Sequence, residues 1–255
     1  MKHMREIYIS TVALDPTRWG RRTPSFDVSA WLPRFERDGF DGVELWEYHF
    51  LSADKEEQDR LVAASAAVAI YNSYVGFANE DAEARAAAAE AIRQLQPRAV
   101  KYNLGGDAAK LDEYRRNLLA WADALPADCR LLCECHPGTI LEQVADAAAF
   151  FADLDPVRFG VVAHVSGNSA GTESWFSEFN GRLQHLHVQR RGSESNPSVA
   201  ANRPTLDASF AAVKAHGFAG SVAIEFSRGM GRDEDIEEIY TNACTDLAYV
   251  RQALA

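Results

Sequence analysis

The sequence has little cysteine, no long apolar run and no excess of positive charge. Its four cysteines are too few for a disulfide framework in a chain of 255 residues, and they are typical of reduced thiols. No run of about 18 apolar residues occurs, which predicts no transmembrane helix. Asp and Glu number 37 against 26 Lys and Arg, and the net charge of −11 repels phosphate backbones and anionic lipid. We therefore expect neither nucleic acid nor a membrane as a partner.

The amino terminus lacks the features of a secretion signal. Residues 1–10 (MKHMREIYIS) contain neither the apolar run nor the small-residue cleavage site of a signal peptide. Together with the small number of cysteines, this predicts a cytoplasmic protein.

Eight short apolar runs rich in β-branched residues alternate with helical patterns along the whole chain. The runs cover residues 6–11, 42–46, 68–74, 99–103, 130–135, 158–164, 183–188 and 221–226. Such alternation is typical of repeated βα units and a parallel sheet. No linker long or polar enough to divide the chain separates them. We therefore predict an α/β protein in which residues 1–255 form a single (β/α)8 TIM barrel, in preference to a doubly wound sheet.

The helical patterns between these runs begin near capping residues and repeat apolar positions every three or four residues. The first helix is predicted to begin at Asp27 or Ser29 and to end at Asp38 and Gly39. The others are predicted over residues 53–67, 81–95, 111–125, 140–154, 207–216 and 233–254, with a short helix at 174–179.

Four predicted strands end in residues that commonly bind metals. Glu134 ends the fifth strand and His164 the sixth. His185 and His187 share a face of the seventh, and Glu225 ends the eighth. Each one alone is as well explained as a satisfied polar residue, but the carboxyl ends of the strands form the active-site face of a barrel, so these side chains should meet. Because two buried carboxylates without a cation are costly, we predict one divalent metal ion; mixed oxygen and nitrogen ligands favour Mn, Co, Zn or Fe over Mg or Ca.

Four segments give the chain a resemblance to a known family. They are GFDGVELW at 39–46, ECHPG at 134–138, HLHV at 185–188 and GFAG at 217–220, which leads to Glu225. With these motifs the chain resembles, over nearly its whole length, the xylose isomerase-like TIM barrel superfamily. That superfamily includes sugar isomerases and epimerases, inosose dehydratases, hydroxypyruvate isomerases and the endonuclease IV group.

The resemblance implies a specific set of metal ligands. Its members typically hold the metal with a Glu, an Asp, a His and a Glu on the fifth to eighth strands, which implies Glu134, His187 and Glu225 here. The sixth strand departs from the pattern, because His164 stands at the Asp position. A neutral His still ligates, but the site loses a negative charge and shifts toward softer metals. The seventh strand departs too, since HVQR at 187–190 replaces a His-x-Lys-Asp pattern.

The implied activity is that of a metal-dependent isomerase, epimerase or dehydratase of a small sugar or sugar acid. A divalent ion that bridges the carbonyl and hydroxyl oxygens of such a substrate stabilises the enediolate formed by loss of a proton. Glu134 and Glu225 are the predicted ligands and proton carriers. Lys101, at the end of the fourth strand, is a third catalytic candidate that would polarise a substrate oxygen or act as an acid; the alternative is a structural ion pair.

Residues around this cluster are candidates for holding the substrate. Trp46 would stack on a sugar ring. Arg190, Arg191, Arg203 and Arg228 follow the seventh and eighth strands and suggest an acidic substrate, since barrel enzymes commonly bind anions there; the alternative is a solvated loop with ion pairs. His49, just beyond the second strand, is expected on the surface. The predicted substrate-binding residues are Glu44, Trp46, His136, His185, Arg190 and Arg228.

Two other functions remain open. The first is a metal-dependent lyase that acts on a sugar-like or glycoside substrate with a different proton route. The second is a catalytically degenerate barrel, without the usual acid on the sixth strand, that serves as a binding subunit. The expected partner is a small polyhydroxylated molecule, and exposed Trp175 and Phe176 suggest a contact that would form a homo-oligomer.

Overall fold

A computed structural model describes residues 5–15, 18–189, 199–200, 203–226 and 235–255. At its centre eight parallel strands form a closed barrel in chain order, which confirms the predicted fold class. The strands are β1 (Ile7–Ser10), β2 (Val43–Trp46), β3 (Val68–Asn72), β4 (Ala99–Tyr102), β5 (Arg130–Glu134), β6 (Phe159–Val165), β7 (Leu183–Gln189) and β8 (Ser221–Phe226).

The helices of the described residues surround the barrel. They are α1 (Val28–Arg37), α2 (Tyr48–Leu51), α3 (Lys55–Ala63), α4 (Ala82–Leu95), α5 (Leu111–Ala124), α6 (Val144–Phe151), α7 (Ser169–Phe179), α8 (Arg203–Ala215) and α9 (Ile236–Leu254). The helix predicted at 174–179 is longer than expected, because Asn168 caps its amino end by accepting a hydrogen bond from Gly171. Among the described helices, none is both long and apolar enough to cross a bilayer.

The turn between α1 and β2 needs a glycine at its end. Gly42 has a φ of +150°, and a Cβ there would lie 2.8 Å from the carbonyl oxygen of Ala67. Both the backbone angle and the close approach exclude a side chain. This turn sets the start of β2, whose Glu44 pairs with Ser10 of β1.

The interior of the barrel is layered along its axis. An apolar layer near the amino ends of the strands contains Tyr8, Ala69, Ile70, Ala99, Leu132, Val162 and Ala223. A second apolar cluster, closer to the carboxyl ends, contains Val12, Trp46 and Phe226. Between them lies a buried polar layer, which consists of Ser10, Glu44, Asn72, Lys101, Glu134, His185, His187 and Glu225. Polar groups in this layer are removed from water, so each needs a partner within the protein.

Two expectations about surface residues are wrong. Phe176 is 2% exposed and packs its ring against Phe218, so it is not available for a contact between subunits. His49 is buried because residues that follow β1 fold over it, with the Phe26 ring centre 4.7 Å from its own. Its Nε2 lies 3.0 Å from Asp15 Oδ2, and its Nδ1 lies 3.0 Å from the hydroxyl of Thr11.

The burial of His49 should make the stability of the protein depend on pH. Burial lowers the pKa of His49 below its usual 6.5, so the unfolded chain takes up this proton at a higher pH than the folded protein. The free energy of unfolding should therefore fall as the pH drops through about 6.5 toward the lower folded pKa. In urea unfolding at pH 7 and pH 5, His49→Gln should reduce this loss by at most about 1.4 kcal/mol per pH unit. If the free energy of unfolding falls equally in the variant and the parent, the lowered pKa of His49 is not the cause of the pH dependence.

Candidate metal centre

Four side chains meet at the carboxyl ends of β5 to β8. They are Glu134, His164, His187 and Glu225, and one nitrogen or oxygen atom of each lies within 4.8 Å of the others. His164 Nε2 is 2.8 Å from Glu134 Oε1, and His187 Nδ1 is 3.3 Å from the same oxygen. His187 Nδ1 is also 3.4 Å from Glu225 Oε2. Neighbouring strands in register place these groups together, as the pairing of His164 with His187 shows.

One oxygen in this cluster has no donor. Glu225 Oε2 is buried and accepts no hydrogen bond from the described residues. Its neighbours are His187 Nδ1 at 3.4 Å and His164 Nε2 at 3.9 Å, which also face Glu134. A buried carboxyl oxygen without a partner is costly, and a cation between these atoms would remove that cost. Two carboxylates and two imidazoles therefore fit a divalent metal ion.

The charges of the polar layer also favour a bound cation. Glu44, Glu134 and Glu225 are at most 4% exposed, while Lys101 is buried with them. With neutral histidines, three ionised acidic side chains and one ammonium leave an excess of two negative charges, which is the charge that one divalent cation balances. Burial acts to lower the pKa of His187, but the carboxylates of Glu44 and Glu225 outweigh it and raise that pKa well above 6.5. Metal binding at His187 would therefore release a proton.

Lys101 holds one side of Glu134. Its Nζ donates to Glu134 Oε2 and to Asn103 Oδ1, both at 2.8 Å, and lies 4.2 Å from the centre of the Tyr74 ring. Burial acts to lower the pKa of Lys101, but the charge of Glu134 outweighs it, so the pKa is raised. Asn103 donates to the same Oε2 at 3.0 Å. Lys101 is thus a fixed cation, which supports the ion-pair alternative over the predicted role as an acid.

Glu44 and His185 lie below the cluster and are both fully buried. Each carboxyl oxygen of Glu44 has two partners, at 2.8 and 2.7 Å from Oε1 and at 3.1 and 2.9 Å from Oε2. The partners are Ser10 and Asn72 on Oε1, and the Nε2 atoms of His185 and His187 on Oε2. Every acceptor position of Glu44 is used within the protein, and both Glu44 and His185 are out of reach of a substrate. Their positions therefore argue against the predicted substrate contacts of these two residues.

The other predicted substrate contacts are dispersed. Trp46 is 1% exposed and meets Tyr48 and His49 edge to face, with ring centres 5.3 Å apart in both pairs, so its ring is not free to stack on a sugar. His136 is half-buried at the rim, where its Nδ1 lies 2.6 Å from the carbonyl oxygen of Pro137. Arg190, Arg191 and Arg228 lie outside the described residues.

One of the arginines predicted to lie near the site, Arg203, lies in the helical shell instead. Arg203 begins α8, where it bonds Gln252 and places its guanidinium 4.8 Å from the centre of the Tyr249 ring. It thus packs on α9 in the helical shell, which removes part of the argument for an acidic substrate.

A further acidic residue beside the site was not predicted. Glu47 directly follows β2, is 2% exposed and accepts a hydrogen bond from Ser73 at 2.9 Å. Burial raises the pKa of Glu47. Its place directly after an apolar strand is the same signal that identified Glu134 and Glu225.

Comparisons with known proteins bear on the fold. No protein-family model matches the chain, and no curated protein matches it. Solved structures do match. A D-psicose 3-epimerase from Clostridium cellulolyticum H10, solved with D-tagatose, is 13% identical with a TM-score of 0.68, over 98% of this chain and 99% of that one. A xylose isomerase-like TIM barrel protein from Mycobacterium smegmatis, in complex with magnesium, is 13% identical with a TM-score of 0.61, over 99% of both chains.

This chain has the xylose isomerase-like TIM barrel fold. The IOLI protein with a bound zinc atom has the same fold; it is 14% identical with a TM-score of 0.68, over 98% of this chain and 99% of that one. The four sequence motifs predict this fold, and the structural matches confirm the fold.

Proposed function

We propose that this xylose isomerase-like barrel is a metal-dependent isomerase or epimerase of a small sugar or sugar acid. The observation that carries the proposal is the cluster of Glu134, His164, His187 and Glu225, in which Glu225 Oε2 has no donor among the described residues. The excess negative charge around the cluster supports a divalent ion there. A D-psicose 3-epimerase among the solved structures of this fold supports the choice of substrate class.

The cluster would hold the ion through two carboxylates and two imidazoles. Such a ligand set favours Mn, Co, Zn or Fe over Mg. A bound divalent ion would supply the positive charge that stabilises negative charge developing on the oxygens of a carbonyl substrate.

The two carboxyl groups of the cluster have different environments and therefore different roles. Lys101 and Asn103 both donate to Glu134 Oε2. Burial acts to raise the pKa of Glu134, but the charge of Lys101 and the contacts with His164 and His187 outweigh it and hold that pKa well below 4.5. A carboxylate of such low pKa is a poor proton acceptor, so Glu134 is assigned the role of a ligand. Glu225 Oε2 receives no hydrogen bond from the described residues, so Glu225 is assigned, besides its role as a ligand, the role of the group that accepts and returns the proton.

Exchange of substrate protons with solvent tests this function. The full chain, loaded with Mn, Co or Zn, is incubated in D2O with ketoses, inososes and sugar acids, and 1H NMR follows deuterium incorporation beside the carbonyl group. Exchange should occur with at least one of these compounds and should stop when a chelator removes the metal. Glu57→Gln, which changes a buried Glu of α3 outside the barrel, should exchange like the parent. Exchange that persists without metal, or none with loaded and folded protein, would refute the proposal.

A further inference from the structure

His187 lies between two sets of acidic groups, one on each ring nitrogen. Its Nδ1 faces Glu134 Oε1 at 3.3 Å and Glu225 Oε2 at 3.4 Å, within the candidate metal centre. Its Nε2 faces Glu44 Oε2 at 2.9 Å, on the side away from the other two carboxyl groups. A neutral imidazole carries one proton, so only one of these nitrogens has the lone pair that a metal requires.

The hydrogen bonds of Glu44 determine which nitrogen that is. Asn72 Nδ2 can only donate, and together with Ser10 it fixes Oε1 of Glu44 as an acceptor. On Oε2, the ring of His185 is oriented by a 2.8 Å contact between its Nδ1 and the hydroxyl of Ser221, so that its Nε2 points at Glu44. An ionised Glu44 has no proton to donate, so its Oε2 accepts a hydrogen bond from a proton on His187 Nε2.

We propose that Glu44 is a positioning residue that keeps the proton of neutral His187 on Nε2 and thereby presents the Nδ1 lone pair to the metal. This inference rests on the proposed function, because it presumes the metal site. It replaces the predicted role of Glu44 as a substrate contact with one that its complete burial allows. Carboxylate partners of metal-binding imidazoles act in this way, and their removal typically weakens metal binding about 10- to 100-fold.

Glu44→Gln tests the role with little change of shape. Asn72 Nδ2 can only donate, so it holds the amide oxygen of the glutamine on its side, where the hydroxyl of Ser10 also donates to that oxygen. The amide NH2 group then faces His187 Nε2 and donates to it. The proton of His187 moves to Nδ1, where it blocks the lone pair. A wrong tautomer of this kind impairs function although the geometry is preserved, as in the Asp-to-Asn change of the serine protease triad.

Two measurements on the full chain decide the matter. Zinc titration calorimetry should show binding by Glu44→Gln that is about 10- to 100-fold weaker than binding by the parent, while the matched control Glu57→Gln binds like the parent. Long-range 1H–15N NMR of zinc-loaded parent protein should show a proton on His187 Nε2 and zinc on Nδ1. The NMR measurement needs no variant, so it decides the question even if Glu44→Gln fails to fold.

The outcomes separate this inference from the proposed function. If the parent binds zinc and Glu44→Gln binds it equally well, the positioning role is wrong while the metal site stands. A zinc-loaded parent with the proton on His187 Nδ1 would also overturn the role. If folded parent protein binds neither zinc nor manganese, the proposed function itself fails, and the inference fails with it.

Discussion

Replacing Glu225 by glutamine is expected to weaken divalent metal binding by at least about 100-fold, the upper end of the effect seen for residues that only support a ligand. The substitution removes a charged ligand whose Oε2 has no donor among the described residues. It also removes one of the three acidic groups of the polar layer, so the metal-free variant should be at least as stable as the metal-free parent. Calorimetric titration with zinc and urea unfolding in a chelator measure the two effects.

Weaker metal binding without a loss of stability in the metal-free protein would indicate that Glu225 is a ligand. If Glu225 served instead to stabilise a protonated His187, its substitution would lower the stability of the metal-free protein, because the buried charge of His187 would lose a partner. Glu57→Gln is the matched control, since Glu57 accepts hydrogen bonds from Ser29 in the outer helical layer. Unchanged metal affinity of Glu225→Gln would exclude Glu225 as a ligand.

Replacing Lys101 by methionine is expected to lower the free energy of unfolding by about 3–5 kcal/mol in metal-free protein, which is the usual effect of breaking a buried ion pair. Lys101 is fully buried, and its ammonium lies 2.8 Å from Glu134 Oε2. Without it, the acidic groups of the polar layer have no buried ammonium partner among the described residues. Urea unfolding at neutral pH in the presence of a chelator measures the loss.

The double variant distinguishes charge from packing. Lys101→Met with Glu134→Gln removes both charges of the pair, so the double variant should be more stable than Lys101→Met alone. If the two variants are equally unstable, the loss comes from the shape of the methionine side chain, and the charge balance of the polar layer does not depend on Lys101.

The barrel and the position of the candidate site were accessible from the sequence. Alternating β-branched runs and amphipathic helices specify βα units, and eight such units close a barrel. Glu134 and Glu225 each follow an apolar run, and parallel strands bring such ends to one face. The sequence therefore predicts which residues meet, because the strand order of the barrel equals the chain order.

The depth of a side chain inside the barrel was not accessible in the same way. Glu44 and Trp46 share a face of β2, but the stagger between strands decides which layer each one reaches, and apolar periodicity carries no signal for that stagger. Glu44 pairs in register with Ser10 and so enters the buried polar layer. His49 was mispredicted for a related reason, since its burial depends on how the segment after β1 folds back over it.

The central claim is that the side chains at the ends of β5 to β8 hold a divalent ion, and anomalous diffraction at the zinc edge tests it most directly. Crystals of the parent grown with zinc should show one strong peak about 2.0–2.2 Å from the ligand atoms of Glu134, His164, His187 and Glu225. Crystals of Glu225→Gln grown in the same way should lack it. A parent map with no peak there, or with zinc bound only elsewhere, would contradict the account.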